Sequence, residues 1–183
     1  MKLNPGQVLE EFEAGGRKVI FRVIRKGDEN GCLAHINSLI AEKAMIAWQK
    51  PFTLKREKEW LKEKLKEIAK GDNITVIVES EGRMIGCASV WKDIFDAKAH
   101  VAHIAIGLNS QRGQGIGERL MAALERVAKN HLGCSIIELT VYENNAVARG
   151  LYEKMGFRET GRVPKGCNHF GKYFDEVIMV KEI

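Results

Sequence analysis

Three glycines at alternate positions stand where a predicted strand gives way to a predicted helix. The run 103–106 is typical of a buried strand, and apolar residues recur at helical spacing from Ile116 to Val127. Glycine lets the backbone approach a ligand closely, and the unpaired N–H groups at a helix N-terminus favour an anion such as a pyrophosphate. A loop that only turns the chain is the alternative. The cofactor-binding residues predicted here are Gly113, Gln114, Gly115, Ile116, Gly117 and Glu118, through their backbone N–H groups, and Arg112, which either shapes the loop or contacts the phosphates.

The positions of these glycines exclude two common nucleotide-binding motifs. A dinucleotide-binding loop needs a further glycine three residues after Gly115, where Glu118 stands. A Walker loop needs Gly-Lys-Ser/Thr at the helix start, where residues 115–117 read Gly-Ile-Gly. The spacing Arg-x-x-Gly-x-Gly is therefore a different phosphate-binding signature.

A second motif lies in residues 136–157. Its first part, 136–142, predicts a strand, after which Asn144 is the expected N-cap of a short helix that ends at Gly156. Asn145 and Tyr152 are two helical turns apart and so lie on one face of that helix. The helix runs into the sequence Leu-Tyr-Glu-Lys-Met-Gly-Phe.

The two motifs together resemble those of the GNAT superfamily of N-acetyltransferases. The resemblance covers roughly residues 18–183, although 18–95 fit by layout more than by motif. It implies an α/β fold with a central mixed β-sheet of about seven strands flanked by about four helices. It also implies acetyl-CoA as co-substrate, no metal, and transfer of the acetyl group to a primary amine by direct attack in a ternary complex.

The resemblance assigns roles along the strand before the glycine loop. The pantetheine arm of acetyl-CoA is expected to bind there as an added strand would, through backbone hydrogen bonds. Core packing also explains apolar side chains at these positions, and both roles are compatible because the ligand uses the backbone. The residues concerned are Ile104, Ala105, Ile106 and Gly107.

Two residues of the second motif match cofactor-facing residues of the superfamily. Asn145 matches an asparagine that hydrogen-bonds the cofactor, with helix capping as its alternative role. Tyr152 matches a tyrosine whose hydroxyl faces the CoA sulfur, with packing on the sheet as its alternative. A phenolic O–H at that place can stabilise or protonate the departing thiolate.

The group that takes the proton from the amine is open at this stage. An alkyl ammonium has a pKa of about 10.4, so a proton must leave before attack. His103 lies on the strand where some relatives carry a Glu or His, although a buried core histidine is an equal alternative. Glu138 is the second candidate base; Thr140 stands where some relatives have a catalytic Glu, which argues against that route.

Composition restricts the class of protein. The 183 residues carry a net charge of +5, which favours anionic ligands such as a polyphosphorylated cofactor, but no basic run alternates with aromatic residues, which argues against a nucleic-acid partner. The four scattered cysteines predict reduced thiols in a cytoplasmic protein rather than a metal site. No apolar run is long enough for a membrane span. A homodimer is compatible with the resemblance.

The pattern of elements predicts one N-acetyltransferase domain over 18–183, preceded by a loose arm or short extra element at 1–17. The predicted order is β-α-α-β-β-β-α-β-α-β-β. It begins with a strand at Lys18–Ile24 and includes an amphipathic helix at Thr53–Lys70. The last two strands are expected at Phe157–Val163 and Tyr173–Glu182, around a Pro164–Lys172 loop.

Two classes of function fit these observations. The first is an acetyl-CoA-dependent N-acetyltransferase acting on a small amine, an amino acid, or a protein N-terminus or lysine. The second is a non-catalytic acyl-CoA-binding sensor or accessory subunit with the same fold, although such a protein has no use for a tyrosine at the sulfur. The acceptor is not specified, although Glu42, Glu57 and Glu59 could form an acidic lip for a cationic amine.

Overall fold

Eight strands form one mixed sheet, with four α-helices around it, in the residues that the structure describes. The structure is a computed structural model that describes residues 2–109 and 114–183. The strands are β1 (Val8–Ala14), β2 (Arg17–Val23), β3 (Asn73–Ser80), β4 (Arg83–Lys92), β5 (Val101–Leu108), β6 (Ile136–Tyr142), β7 (Arg158–His169) and β8 (Lys172–Glu182). The helices are α1 (Glu29–Ala41), α2 (Leu54–Lys70), α3 (Ile116–Val127) and α4 (Ala146–Lys154).

The sheet has the order β1-β2-β3-β4-β5-β6-β8-β7. All neighbouring strands in the described residues are antiparallel except β5 and β6, which run parallel. The β3–β4 hairpin turns through Glu81 and Gly82, whose φ values of 50° and 73° are those of a tight two-residue turn. This topology confirms the expected mixed α/β sheet, with one strand more than the seven expected.

Local sequence explains the limits of the helices. Thr53 accepts a hydrogen bond from the Arg56 N–H (3.3 Å) and caps α2, and Gly71 ends it in the left-handed conformation at φ 87°. In α3, buried residues recur on one stripe that includes Ile116, Leu120 and Leu124.

Helix α1 packs closely on β5 because residue 107 is glycine. A Cβ built on Gly107 would lie 2.9 Å from Leu39 Cδ1, which is closer than real Cβ contacts. Successive side chains of a strand point to opposite faces. His103 and Ala105 therefore share the α1 side of the sheet with Gly107, whereas the buried Ala102 and Ile104 point to the other side.

Residues 1–17 contribute to the sheet. Val8–Ala14 pairs with β2 as the edge strand β1, and this strand accounts for the difference between seven and eight. Glu10 of β1 also receives ion pairs from Arg119 (2.9 Å) and Arg126 (2.7 Å) of α3. Val8–Ala14 is thus a strand of the sheet, and the division of the chain at residue 17 stays a prediction.

Two local predictions are wrong. The loop predicted from Pro164 to Lys172 is strand as far as His169, because β7 lies at the sheet edge, where proline loses no ladder hydrogen bond. A register shift between Val163 and Cys167 accommodates the extra residues. The N-cap of α4 is Asn145 and not Asn144, since the Asn145 side chain accepts the hydrogen bond from the Ala148 N–H (3.2 Å).

Candidate active site

The parallel strands β5 and β6 separate along their length. Their pairing spans only Val101–His103 against Ile136–Glu138, although β5 continues to Leu108 and β6 to Tyr142. Beyond His103, the backbone of β5 is paired with β4 alone and faces an open groove on its other side. This is the geometry that an extended, amide-containing ligand needs to bind as an added strand. The predicted pantetheine residues Ile104, Ala105, Ile106 and Gly107 all line the cavity at this groove.

The described part of the glycine loop leads directly into α3. Gly115 precedes the helix at φ 72°, a conformation that favours glycine, and open space surrounds the position that its Cβ would occupy. The first N–H groups of α3, at Ile116, Gly117 and Glu118, have no partner within the helix. Arg112 and Gly113, which were predicted to belong to the same phosphate site, lie outside the described residues.

Gly117 brings the start of α3 next to α4. A Cβ at Gly117 would lie 3.2 Å from Leu151 Cδ2, so a larger residue would press on the helix that carries Tyr152. Lys154 of α4 also pairs with Glu118 at 2.7 Å. The proposed phosphate site and the proposed sulfur-facing residue are therefore held together by direct packing.

Tyr152 is buried and lines the cavity. Its ring packs at 6.0 Å from that of Phe157, and 9% of its surface is exposed. Burial raises the pKa of Tyr152 to about 12, so its hydroxyl keeps its proton at every ordinary pH. Asn145 lines the same cavity, and it caps α4 through Oδ1 rather than through its amide nitrogen.

A cavity of about 1460 Å³ joins the groove to a second chamber under α1 and α2. The segment 45–52 covers this chamber and is fastened to the β7–β8 hairpin. The Phe170 N–H donates to Gln49 Oε1 (2.9 Å), and Gln49 Nε2 donates to the Asn168 carbonyl. A third bond joins the segment to β6, where the Tyr142 hydroxyl donates to the Ile46 carbonyl (3.2 Å).

The two candidate bases meet at the closed end of the groove. His103 Nδ1 lies 3.8 Å from Glu138 Oε1, and His103 Nε2 lies 3.1 Å from Asp93 Oδ2. Asp93 lines the cavity, whereas His103 and Glu138 are not among the described residues that line it. A hydrogen bond from the Phe95 N–H, and then that from His103, hold the pKa of the Asp93 carboxyl below its usual value.

Sequence reasoning did not single out His35. This residue of α1 lines the cavity, is 5% exposed, and has Nε2 at 3.2 Å from the Gly107 carbonyl. Burial lowers the pKa of His35, although hydrogen bonding with Gly107 and Asn109 opposes the shift. Its spacing from the buried Cys32 and Leu39 was the signal that it faces the interior.

In residues 2–109 and 114–183, no group of three or more His, Cys, Asp or Glu side chains is arranged to hold a metal ion. No helix in that same part of the chain combines the length and apolar character needed to cross a membrane.

Comparison with known families decides the classification. The model of the acetyltransferase (GNAT) family matches residues 39–157, which is more than half of the 183 residues. The chain belongs to this family. The prediction of a GNAT acetyltransferase that uses acetyl-CoA is thereby confirmed, and the roles of individual site residues stay predictions.

Relatives and solved structures agree with the GNAT classification. An L-methionine sulfoximine/L-methionine sulfone acetyltransferase of Pseudomonas aeruginosa is 27% identical over 154 residues, covering 83% of this chain and 87% of the relative. An L-amino acid N-acetyltransferase of Escherichia coli is 29% identical over 102 residues, covering 55% of this chain and 63% of the relative. A putative acetyltransferase from Salmonella typhimurium, solved with acetyl-CoA, superimposes with a TM-score of 0.77 at 20% identity, over 90% of this chain and 93% of that one.

Proposed function

We propose that this GNAT protein transfers the acetyl group of acetyl-CoA to the primary amine of a small acceptor, by direct attack within a ternary complex. The observation that carries the proposal is the continuity of the cavity. One space of about 1460 Å³ is lined both by the backbone-exposing strand Ile104–Gly107 and by the walls of the α1–α2 chamber. A donor in the groove and an acceptor in the chamber would meet beside Tyr152.

The residues of the groove fit a pantetheine and a pyrophosphate. The free edge of β5 offers backbone hydrogen bonds to an extended arm, and the start of α3 offers N–H groups and the positive end of a helix dipole. Acetyl-CoA, when bound, supplies an activated acyl group, so that a C–N bond to the acceptor forms as the C–S bond breaks. The protein has to orient the two reactants, which alone can account for much of a rate enhancement.

Tyr152 is the residue that we assign to the departing sulfur. Its hydroxyl is protonated at neutral pH because burial raises its pKa to about 12, so it is available as a donor. A hydrogen bond from this hydroxyl to a developing thiolate would stabilise negative charge in a place that water reaches poorly.

For the proton of the ammonium we propose a route to His103 at the closed end of the groove. Asp93 both lines the cavity and contacts His103, so it connects the chamber to the imidazole. Glu138 is the alternative acceptor, on the neighbouring strand. Loss of the proton to water, with catalysis by positioning, is the remaining route.

The bridge over the chamber favours a small acceptor over a folded protein. The segment 45–52 bridges to the β7–β8 hairpin through Gln49, so a polypeptide would have to displace this cover. The relatives named for methionine sulfoximine and for L-amino acids make amino acids and their analogues the first acceptors to test.

A CoA-release assay with a panel of acceptors tests this function. The panel contains L-amino acids, methionine sulfoximine, alkyl amines and short peptides, each with saturating acetyl-CoA. We expect release of one CoA for each amide formed with at least one small amine. Binding of acetyl-CoA, seen as a thermal shift, without CoA release for any acceptor would instead indicate the non-catalytic acyl-CoA-binding role.

A further inference from the structure

The cavity has the opposite charge balance to the chain. The whole protein carries a net charge of +5. Six carboxylates line the cavity, against three cationic side chains, Arg56, Lys64 and Lys92. A cleft with walls of one sign concentrates ligands of the other sign. The carboxylates are those of Glu57, Glu67, Asp72, Asp93, Asp96 and Glu176.

Glu57 differs from the others in its burial. It lies in the first turn of α2 and is 4% exposed, yet its side chain lines the cavity. Its Oε2 is inaccessible to water and has no hydrogen-bond partner among the described residues. A buried carboxylate normally has a cation or several donors beside it. The expectation of an acidic lip is wrong for its other two members, Glu42 and Glu59, because both are exposed and neither lines the cavity.

Arg56 acts on Glu57 through its charge alone. Burial raises the pKa of the Glu57 carboxyl, and the charge of Arg56 opposes that shift. Arg56, the adjacent residue, directs its guanidinium over the rings of Phe52 (3.7 Å to the centroid) and Trp48 (4.6 Å). In the described residues, no Lys, Arg or His nitrogen forms an ion pair with the Glu57 carboxylate within 4.0 Å.

Two thiols, Cys32 and Cys87, lie near Glu57. Burial raises the pKa of the Cys87 thiol to about 12, and the charge of Glu57 acts in the same direction on Cys87 and on Cys32. Both thiols are therefore neutral neighbours.

We propose that Glu57 binds the ammonium group of the acceptor. This inference rests on the proposed function and adds the charge of the substrate to it. In the free protein the carboxylate is costly because its charge is buried without a partner. The position near the N-terminus of α2 offsets part of that cost through the helix dipole. The acceptor would supply the missing cation and be oriented by it, while the other carboxylates of the cavity raise its local concentration.

The matched pair Glu57→Gln and Glu59→Gln tests the inference on the full chain. Both substitutions remove one negative charge from α2, but only Glu57 lines the cavity. For Glu57→Gln we expect KM for the amine to rise by about 10-fold or more, since a hydrogen bond between charged groups is lost. Affinity for acetyl-CoA and the KM of Glu59→Gln should stay within about twofold of the wild type.

A stability measurement separates binding from a structural role. If Glu57 holds the fold together, Glu57→Gln should lower the melting temperature of the free protein. If Glu57 is kept for the ligand, the variant should melt at the same or a higher temperature, because an unpaired buried charge has been removed. A fall in melting temperature together with an unchanged KM would overturn the inference.

A ligand pair tests the charge itself. In the presence of CoA, an alkyl amine should compete with the acceptor much better than the alcohol of the same chain length. Glu57→Gln should reduce that preference by about 10-fold or more. An equal preference in both proteins would overturn the role of Glu57. Failure of the proposed function has a different outcome, since the wild type itself would then release no CoA with any amine.

Discussion

Replacing Tyr152 by phenylalanine isolates the contribution of one hydroxyl to acetyl transfer. The ring contact with Phe157 at 6.0 Å is retained, and none of the described residues is hydrogen-bonded to the Tyr152 hydroxyl. We therefore expect the free energy of unfolding to change by less than about 1 kcal/mol. A change in turnover can then be attributed to the site and not to the fold.

The pKa of Tyr152 sets the size of the expected effect. Burial raises it to about 12, whereas a thiol in water has a pKa of about 8.5. Complete proton transfer from the phenol to such a thiolate would be uphill by about 3.5 pKa units, or about 5 kcal/mol. A hydrogen bond to the thiolate, worth about 1.5–3 kcal/mol, is then the larger contribution. Its loss predicts that kcat falls by about 10- to 150-fold.

The assay is CoA release at saturating acetyl-CoA and acceptor, with Tyr173→Phe as the matched control. Tyr173 lies on β8, is 62% exposed, and should give wild-type kcat when changed. The affinity of Tyr152→Phe for acetyl-CoA should stay within a few-fold. Wild-type kcat in Tyr152→Phe would refute the argument. A second result would refute the argument equally: the kcat of the wild type changes at alkaline pH with an apparent pKa below about 10, and Tyr152→Phe lacks this change. Such a result would mean that Tyr152 ionises far below its expected pKa.

The other predictions concern the phosphate site, the base and acid stability. Gly115→Val should strongly reduce the affinity for acetyl-CoA measured by calorimetry. Gly133→Val is the control, because Gly133 has the same left-handed φ (71° against 72°) but lies beyond α3. It should strain the backbone similarly and leave the affinity unchanged. His103→Ala should lower kcat/KM with the amine, and a wild-type rate in that variant beside a crippled Glu138→Gln would transfer the role to Glu138. Burial lowers the pKa of His35 in the folded state, so the unfolded chain binds the His35 proton more tightly. The free energy of unfolding should therefore fall as pH drops below 6.5. In urea titrations, His35→Gln should lessen that fall.

Local signals in the sequence were sufficient for much of the fold. Thr53 and Gly71 mark the two ends of α2, and the turn at Glu81–Gly82 marks the β3–β4 hairpin, because caps and tight turns depend on residues that are adjacent in the chain. The glycine loop and the second motif likewise predicted α3 and α4, apart from the N-cap, which differs by one residue.

Features that depend on distant partners were not predictable in this way. The separation of β5 from β6 results from pairing that stops at His103 and Glu138, and nothing in either strand indicates where it stops. The strand character of Pro164–His169 depends on the edge position of β7, which only the strand order defines.

The position of a residue in the helical repeat indicated its place at the cavity better than its charge did. The many Lys and Glu residues of α2 are typical of a solvated face, yet Glu57 precedes the buried Leu61 by one helical turn and is itself buried. His35 similarly shares the stripe of Cys32 and Leu39 in α1. For a charged or titratable residue, a position on the apolar stripe of a helix thus indicates a functional site better than the residue type alone.

The net charge of the chain and the charges that line the cavity differ in sign. The value of +5 suggested anionic ligands, and the start of α3 has the N–H groups that suit the phosphates of acetyl-CoA. Among the charged residues that line the cavity, carboxylates outnumber cations by six to three, and Glu57 is buried among them. Charges further apart than about 8 Å are largely screened in physiological salt, so an acceptor inside the chamber responds to its walls and not to the sum over the chain. The two substrates can therefore carry opposite charges and still occupy one continuous cavity.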